Sequence, residues 1–300
     1  MTSAVAMPFT ARDGQILALY EWQPDSAPAG LEDAATRLRG MVLIVHGLGE
    51  HALRYEHVAA QLMEWGFVVR SYDQRGHGES GGARGAVPTE GALLYDLAEI
   101  VDDTRAHALN RDGEDHPLPL ILLGHSMGGL IAGRFVALGV RPVSALVMSS
   151  PALDAGLTAF QRLKLNIGHR LAPNLCVGNG LDADYISHDE DVVRNYKADP
   201  RIHKKISPRL GKFITHAGPP TVQAAAKWRL PTLLMFAGED KLVNPAGSRE
   251  FAEIAASSSA VPPGTVTAHC FEGMYHEIFN ERDSGEVFVK LKSWLDIHFA

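Results

Sequence analysis

A serine with glycines two residues before and two residues after it has the clearest chemical meaning in this chain. Residues 124–128 read Gly-His-Ser-Met-Gly, with Ser126 at the centre. An apolar run precedes them and a helical pattern follows over 127–138. A strand, a sharp turn and a helix in this order raise a serine hydroxyl above the sheet, where it can act as a nucleophile. The alternative is a glycine-rich turn in which the serine has no role, but the flanking strand and helix favour a nucleophile elbow.

A serine hydroxyl becomes a good nucleophile only when a base takes its proton and an acid orients that base. In hydrolases of this strand-turn-helix type, the acid and then the histidine follow the serine along the chain. Asp240 lies just after the apolar run 232–237, and His276 lies shortly after the next run, 266–271. Catalytic groups of parallel sheets collect at the carboxyl ends of the strands. The sequence therefore predicts a catalytic triad of Ser126, Asp240 and His276.

Other carboxylates and imidazoles compete for these two roles. Glu239 adjoins Asp240, but neighbouring loop residues point in different directions and only one of them can serve. His269 lies inside a strand pattern, which is typical of a packed residue. The remaining candidates lie in the segment 150–228 or near the C-terminus, where solvated surface positions are the default. They are Asp154, Asp182, Asp184, Asp189, Asp191, Asp199, His169, His188, His203, His216 and His298.

The oxyanion that forms during acyl transfer needs hydrogen-bond donors that are fixed beforehand. We expect one donor to be the backbone N–H of Met127, directly after the nucleophile. The other should come from the turn 46–51, which follows the apolar run 41–45. Within that turn we favour the backbone N–H of Leu48, because the glycines on either side of it let the backbone approach a substrate closely.

Two further motifs are set aside. Residues 76–81 match the dinucleotide pattern GxGxxG, but no apolar helix with a ribose-binding acid follows, so we interpret them as a turn beneath the site. His46, Glu50 and His51 loosely resemble a zinc-binding set. The inverted zinc motif requires His-x-x-Glu-His on a helix, whereas this spacing is longer and lies on a glycine turn. We expect no metal and no cofactor, because ester hydrolysis through a serine needs only water.

Short apolar runs alternate with helical patterns along most of the chain, which predicts an α/β fold with a mostly parallel central sheet and helices on both faces. The predicted strands are 16–22, 41–45, 67–72, 118–123, 145–149, 232–237 and 266–271. The predicted helices are 55–65, 91–109, 127–138, 245–257 and 285–299. The segment 24–40 is rich in alanine, proline, glycine and charge and is interpreted as an exposed connection.

The alternation stops between residues 150 and 228, where no strand-like run occurs and helical spacing is frequent. We therefore predict a hydrolase core of 1–149 and 229–300 with an inserted helical cap of 150–228 over the active site. One apolar face in this cap recurs at three- and four-residue intervals, and it consists of Leu157, Phe160, Leu163, Ile167 and Leu171. This face is either the packed underside of a helix or partly open to an acyl chain or a membrane surface.

Composition restricts the class of protein. The chain has 300 residues, of which 46% are hydrophobic, and a net charge of −7. This size permits a large core, and the lack of a basic stripe argues against a nucleic-acid partner. Cys176 and Cys270 lie far apart, which favours a reducing compartment. The N-terminus lacks a signal-peptide pattern, and no apolar run approaches the ~20 residues of a membrane span. We expect a cytoplasmic protein that contacts membranes at most peripherally, through the cap.

Several segments together resemble the monoacylglycerol lipase and lysophospholipase group of the α/β-hydrolases. They are residues 46–51, 54–55, 72–80, 124–129, 150–151, 186–189, 196–200 and 273–277. The resemblance extends from about residue 46 to about residue 299. It implies the α/β-hydrolase fold, Ser126 as nucleophile, Asp240 as acid, His276 as base, and Leu48 with Met127 as oxyanion donors.

The resemblance also implies a serine ester hydrolase that releases a fatty acid from a single-chain lipid ester, with monoacylglycerol as the first choice. A lysophospholipase or general carboxylesterase is the alternative, and a non-catalytic binding protein with this fold is a third, remote class. Glu50 and Arg54 are implied to organise the polar end of the pocket, or else to form a salt bridge that braces the oxyanion turn. Val243 and Phe279 stand where mammalian members have a cysteine and a histidine, so a head-group preference does not carry over.

Overall fold

The computed structural model describes residues 4–22, 38–112 and 118–300, with the backbone alone described for 108–112. Ten strands occur in these residues: β1 (Ala4–Thr10), β2 (Ile16–Trp22), β3 (Gly40–Val45), β4 (Phe67–Tyr72), β5 (Leu120–His125), β6 (Ala145–Ser149), β7 (Val177–Gly178), β8 (Lys205–Ile206), β9 (Thr232–Ala237) and β10 (Val266–Phe271). Eight of them form one sheet in the order β1-β2-β4-β3-β5-β6-β9-β10. The pairs β1–β2 and β2–β4 are antiparallel and all other neighbours are parallel.

Helices cover both faces of this sheet, as the alternation of strands and helices predicts. The α-helices of the described residues are α1 (Glu56–Glu64), α2 (Ala92–Asp112), α3 (Met127–Ala137), α4 (Ala159–Leu171), α5 (Glu190–Ala198), α6 (Pro208–Ala224), α7 (Ala246–Ser257) and α8 (Ser284–His298), of which α4 and α5 contribute no residue to the two cores of the sheet. Along β5, Leu122 packs into the core that includes residues of α2, α3, α6 and α7. Its neighbours Ile121 and Leu123 pack into the core with α1 and α8. Side chains of a strand alternate between faces, so a strand covered on both sides is apolar throughout.

The predicted fold class is confirmed, and the strands of the sheet lie at or within two residues of their predicted positions. The exception is β1, which the sequence analysis did not predict. It is an edge strand whose residues are partly or fully exposed, and it contains Pro8. Of the predicted connection 24–40, Gly40 begins β3, and residues 24–37 lie outside the described part of the chain.

Between β6 and β9 the chain leaves the sheet and forms α4, α5, α6 and the two-stranded ribbon β7–β8. The ribbon corrects the expectation that no strand occurs between residues 150 and 228. Helices α4 and α5 have no buried residue, whereas α6 buries seven residues, Leu210 and Phe213 among them. We refer to residues 150–228 as the cap, after the predicted insertion, and the division of the chain into core and cap stays a prediction. Among the described residues, each helix is too short or too polar to span a bilayer.

Candidate active site

Ser126 occupies the turn between β5 and α3. Its backbone has φ +55° and ψ −120°, a conformation that residues other than glycine seldom adopt. The flanking glycines are sterically required: a Cβ on Gly124 would lie 2.5 Å from the carbonyl oxygen of Gly128, and a Cβ on Gly128 would overlap that of Val45. The strained serine therefore lies where the strand and the helix are too close for side chains at the two glycine positions, as in a nucleophile elbow.

His276 and Asp240 lie on loops after neighbouring parallel strands, β10 and β9, so they meet at the same edge of the sheet as Ser126. The Nδ1–H of His276 donates to Oδ2 of Asp240 at 2.6 Å. The other carboxylate oxygen, Oδ1, accepts from the backbone N–H groups of Leu242 (2.9 Å) and Val243 (3.0 Å). The carboxylate is thus fixed and selects the imidazole tautomer whose Nε2 carries a free lone pair.

The electrostatic environment prepares the imidazole to take a proton. Burial would lower the pKa of His276, but the carboxylates of Asp240, Glu277 and Glu50 outweigh burial, and the pKa is raised. Burial would raise the pKa of Asp240, but His276 and two backbone donors lower it. Burial and the nearby His276 lower the pKa of His125 to about 4, and the two rings lie 4.8 Å apart. At neutral pH His125 is therefore uncharged.

Two cavities open at this site, and Ser126, His276 and Leu48 line both of them. The larger has a volume of about 290 Å³ and continues beneath the cap. Its lining is mainly apolar and includes Leu157, Leu165, Val177, Ile206, Ile214 and Val243. The smaller has a volume of about 30 Å³ and is lined mostly by polar residues. A bound molecule with an apolar chain and a small polar end could therefore place its linkage at the serine.

Glu50, Arg54 and Glu277 form a buried ion-pair cluster behind the small cavity. The Arg54 guanidinium donates to Glu50 at 2.6 Å and to both oxygens of Glu277 at 2.7 Å. The second oxygen of Glu50 accepts from the backbone N–H of Gly47 (2.5 Å) and the hydroxyl of Tyr55 (2.7 Å). Burial would raise the pKa of Glu50, but Arg54 and the other partners lower it to about 2. Glu50 lines the cavity, whereas Arg54 is not among its lining residues.

The two expected oxyanion donors lie beside the nucleophile. Met127 begins α3, and the first N–H groups of a helix have no partner within it. Leu48 lies in the turn after β3, and both Leu48 and Met127 line the larger cavity together with Ser126. The neighbouring N–H of Gly47 is already bonded to Glu50. Both residues lie next to Ser126, and their role as oxyanion donors stays a prediction.

Other residues near the site were assigned no role from the sequence. Glu277 directly follows His276 and ends the segment 273–277 that carries part of the resemblance, and these two signals could have singled it out. Glu281 accepts from the backbone N–H of Tyr275 (2.7 Å) and from the ring of His188 in the cap (2.8 Å), so it fixes the loop that carries His276. Of the competing acids, Glu239 is exposed, whereas its neighbour Asp240 accepts from His276.

The chain is similar to several known proteins. A family described as "Serine aminopeptidase, S33" (Hydrolase_4) matches residues 36–283. A monoacylglycerol lipase of Mycolicibacterium smegmatis is 37% identical over 290 residues, 95% of either chain. Phospholipase YtpA of Bacillus subtilis is 31% identical over 87% of this chain and 97% of its own. The crystal structure of Paleococcus ferrophilus monoacylglycerol lipase superposes with a TM-score of 0.74 at 32% identity, covering 87% of this chain and 95% of that one.

Proposed function

Because this chain belongs to the monoacylglycerol lipase group of the α/β-hydrolases, we propose that it hydrolyses monoacylglycerols through Ser126, His276 and Asp240. That it is a lipid ester hydrolase follows from the family; the substrate and the residue roles are the proposal. The observation that carries it is that Ser126 and His276 together line a larger apolar cavity and a small polar one. The ester would lie between the two.

In the proposed reaction, Ser126 Oγ attacks the ester carbonyl carbon while His276 Nε2 accepts the hydroxyl proton. The backbone N–H groups of Leu48 and Met127 hold the oxyanion of the tetrahedral intermediate. His276 then protonates the leaving alcohol, and an acyl-enzyme remains. Water attacks this ester with His276 again as the base, and the fatty acid is released. Asp240 keeps the imidazole oriented and stabilises its charged form.

The small cavity supports a neutral head group rather than a phosphate. Glu50 and Glu277 line it with buried carboxylates, and Arg54 behind them supplies one positive charge. The exposed Asp182 and Lys204 also line it and carry opposite charges. Three carboxylates against two cations leave one net negative charge. Such a compartment accepts hydrogen bonds from glycerol hydroxyls and repels a phosphate.

A lysophospholipase is the second candidate, because phospholipase YtpA of Bacillus subtilis is among the similar proteins. The two candidates share the apolar cavity and the triad and differ in the head group alone. Enzymes of this fold host many substrates, so the head-group compartment and not the fold must decide between them.

The cap supplies a surface for contact with lipid. Phe160, Leu163, Ile167 and Leu171 of α4, with Leu175 after it, are all exposed, and we refer to these five residues as the apolar cap face. A run of large exposed apolar side chains on one helix face is typical of a surface that binds a partner or a membrane. Part of the proposal is that this face rests on the lipid surface from which the substrate enters.

Replacing the nucleophile tests the proposal. Ser126→Ala should lower kcat for a medium-chain monoacylglycerol by roughly 10⁴-fold or more, because no other group can form the acyl-enzyme. Labelling by a fluorophosphonate probe should also be lost. Ser257→Ala, on the exposed side of α7, is the control and should leave both unchanged.

The wild-type enzyme should be assayed in parallel on lysophosphatidylcholine with the same acyl chain. A higher kcat/KM for the monoacylglycerol is expected. Turnover that survives in Ser126→Ala would refute the triad, and a preference for the lysophospholipid would replace the first candidate by the second.

A further inference from the structure

Residues 46–51, the oxyanion loop, are held by two different parts of the molecule. At the first residue the contacts come from the core. His46 Nε2 accepts from the backbone N–H of Gln74 at 2.9 Å, and the Gln74 side chain donates to the backbone oxygen of His46 at 2.6 Å. The His46 Nδ1–H donates in turn to the backbone oxygen of Gly47 at 2.8 Å. This end of the loop is therefore fixed by buried hydrogen bonds to the turn after β4.

At the other end the contacts come from the cap. The backbone oxygen of Gly49 accepts from the N–H of His203 at 2.9 Å. Gly49 has φ +81°, and a Cβ there would overlap the carbonyl oxygen of His203, so the two backbones are in direct contact. Two residues later, the Nε2–H of His51 donates to Asp199 at 2.9 Å. Leu48, the expected donor, lies between the core-held and the cap-held residues.

Both cap residues are themselves held in place. Asp199 accepts from the backbone N–H and the guanidinium of Arg201 at 2.8 to 3.0 Å. The His203 ring lies 4.6 Å from the ring of His77, and His77 lies 5.3 Å from His46. Burial lowers the pKa of His203 to about 4, and burial also lowers the pKa of His77. These two rings are therefore uncharged at neutral pH, and no two of the three rings repel each other as cations. A row of imidazoles thus joins the cap to the start of the oxyanion loop.

We propose that the cap segment 199–205 positions the oxyanion loop, with Asp199 and His203 as the positioning residues. Neither of them is among the described residues that line the two cavities, so they act through the loop and not on the substrate. The cap then does more than cover the substrate: its contact with Gly49 and His51 holds the Leu48 N–H where the oxyanion forms. This inference rests on the proposed function, because it needs an oxyanion at that place.

Asp199→Ala and His203→Ala test the inference on a short soluble ester such as 4-nitrophenyl butyrate, which does not need the apolar cap face. Asp199→Ala, which removes the acceptor of His51, should lower kcat by about 10-fold or more with KM changed less than about twofold, because a displaced oxyanion donor weakens the transition state alone. His203→Ala keeps the backbone N–H that bonds to Gly49 and loses only the ring packed on His77, so it should lower kcat in the same way but by less. The inhibition constant of a trifluoromethyl ketone, whose adduct with serine carries an oxyanion, should rise by the same factor. Asp199→Asn keeps an oxygen acceptor for His51 and should recover most of the activity.

His169→Ala is the matched control, because His169 joins α4 of the cap to Glu90 of the core (3.5 Å) away from the oxyanion loop. It should leave kcat unchanged. Should His203→Ala fail to fold by circular dichroism, Asp199→Ala decides, since its side chain is 18% exposed and lies at the surface. A kcat that falls no further than in His169→Ala, or a change in KM alone, would overturn the inference. Failure of the proposed function is distinguishable: a wrong triad leaves turnover of the soluble ester intact in Ser126→Ala, and a wrong substrate shows in the wild-type assays on monoacylglycerol and lysophosphatidylcholine.

Discussion

The strand ends of the core and the helices α4 and α5 of the cap approach the same serine, but they are built in opposite ways. Strands β3, β4, β5, β6 and β9 are buried at every residue, and α3 buries eight of its residues. Helices α4 and α5 bury none. In the core, close packing fixes the proposed catalytic groups, whereas α4 exposes apolar side chains. Under the proposed function, chemistry and lipid contact therefore belong to regions that differ in how closely they are packed.

This comparison predicts that the largest effects on catalysis come from the core. Asp240→Asn should lower kcat by about 10⁴-fold, because a carboxamide neither selects the right imidazole tautomer nor stabilises the charged ring. In the wild-type enzyme the base must be unprotonated, so kcat/KM should fall as pH drops through the raised pKa of His276. Asp240 is one cause of that raised pKa, and the acid limb of the residual activity should therefore move to lower pH. The pH dependence of kcat/KM measures both.

Glu239→Gln is the control for this variant, since Glu239 is the exposed neighbour of Asp240. It should keep the wild-type rate and profile. An acid limb that stays in place in Asp240→Asn would contradict the pairing of Asp240 with His276 as the source of the raised pKa.

A smaller effect, on stability, is expected where the core contains charge. Arg54→Met would leave the carboxylates of Glu50 and Glu277 buried without their shared partner. Breaking a buried ion pair on one side costs about 3–5 kcal/mol, and urea unfolding measures the free energy of unfolding. The exposed pair Arg141–Asp102 is the control, and Arg141→Met should cost at most about 1 kcal/mol.

Arg54→Met also separates the two interpretations of Glu50 and Arg54. If Glu50 and Arg54 form a salt bridge that braces the oxyanion turn, Arg54→Met lowers the free energy of unfolding. Wild-type stability combined with a higher KM for monoacylglycerol would instead mean that Arg54 contacts the substrate, and the cluster would then belong to the binding surface.

The core could be predicted well because its signals are local. The run before Ser126 is apolar at successive positions, and the glycines around it are required by overlaps with backbone atoms nearby. The end of β5 was still placed two residues early. Gly124 and His125 carry no apolar strand signal, yet they pair with Met148 and Ser149 of β6. Their strand conformation is fixed by the neighbouring strand.

The cap and the ion-pair cluster were harder because their contacts join residues far apart in sequence. Strands of two residues, such as β7 and β8, have no periodicity that could be detected. His203 was counted among the residues for which a solvated surface position is the default, but its ring packs on His77 and its backbone bonds to Gly49. A partner more than a hundred residues away leaves no pattern in the local sequence.

The smallest expected effect lies in the apolar cap face, where the comparison between core and cap can be tested with matched residues. Leu163 and Leu171 of α4 are 54% and 80% exposed, and Leu138 and Ile297 of the core are 51% and 77% exposed. Leu163→Ser with Leu171→Ser should weaken binding to phosphatidylcholine vesicles by about 30-fold, because each partly inserted side chain contributes about 1 kcal/mol. Co-sedimentation with the vesicles measures this binding. The free energy of unfolding and kcat on a soluble ester should stay the same, since neither residue is buried in the protein.

Leu138→Ser with Ile297→Ser removes the same kind of exposed surface from the core and should leave vesicle binding unchanged. Equal losses of vesicle binding in the two double variants would mean that any exposed apolar side chain of this protein contacts lipid. The cap would then not differ from the core in membrane contact.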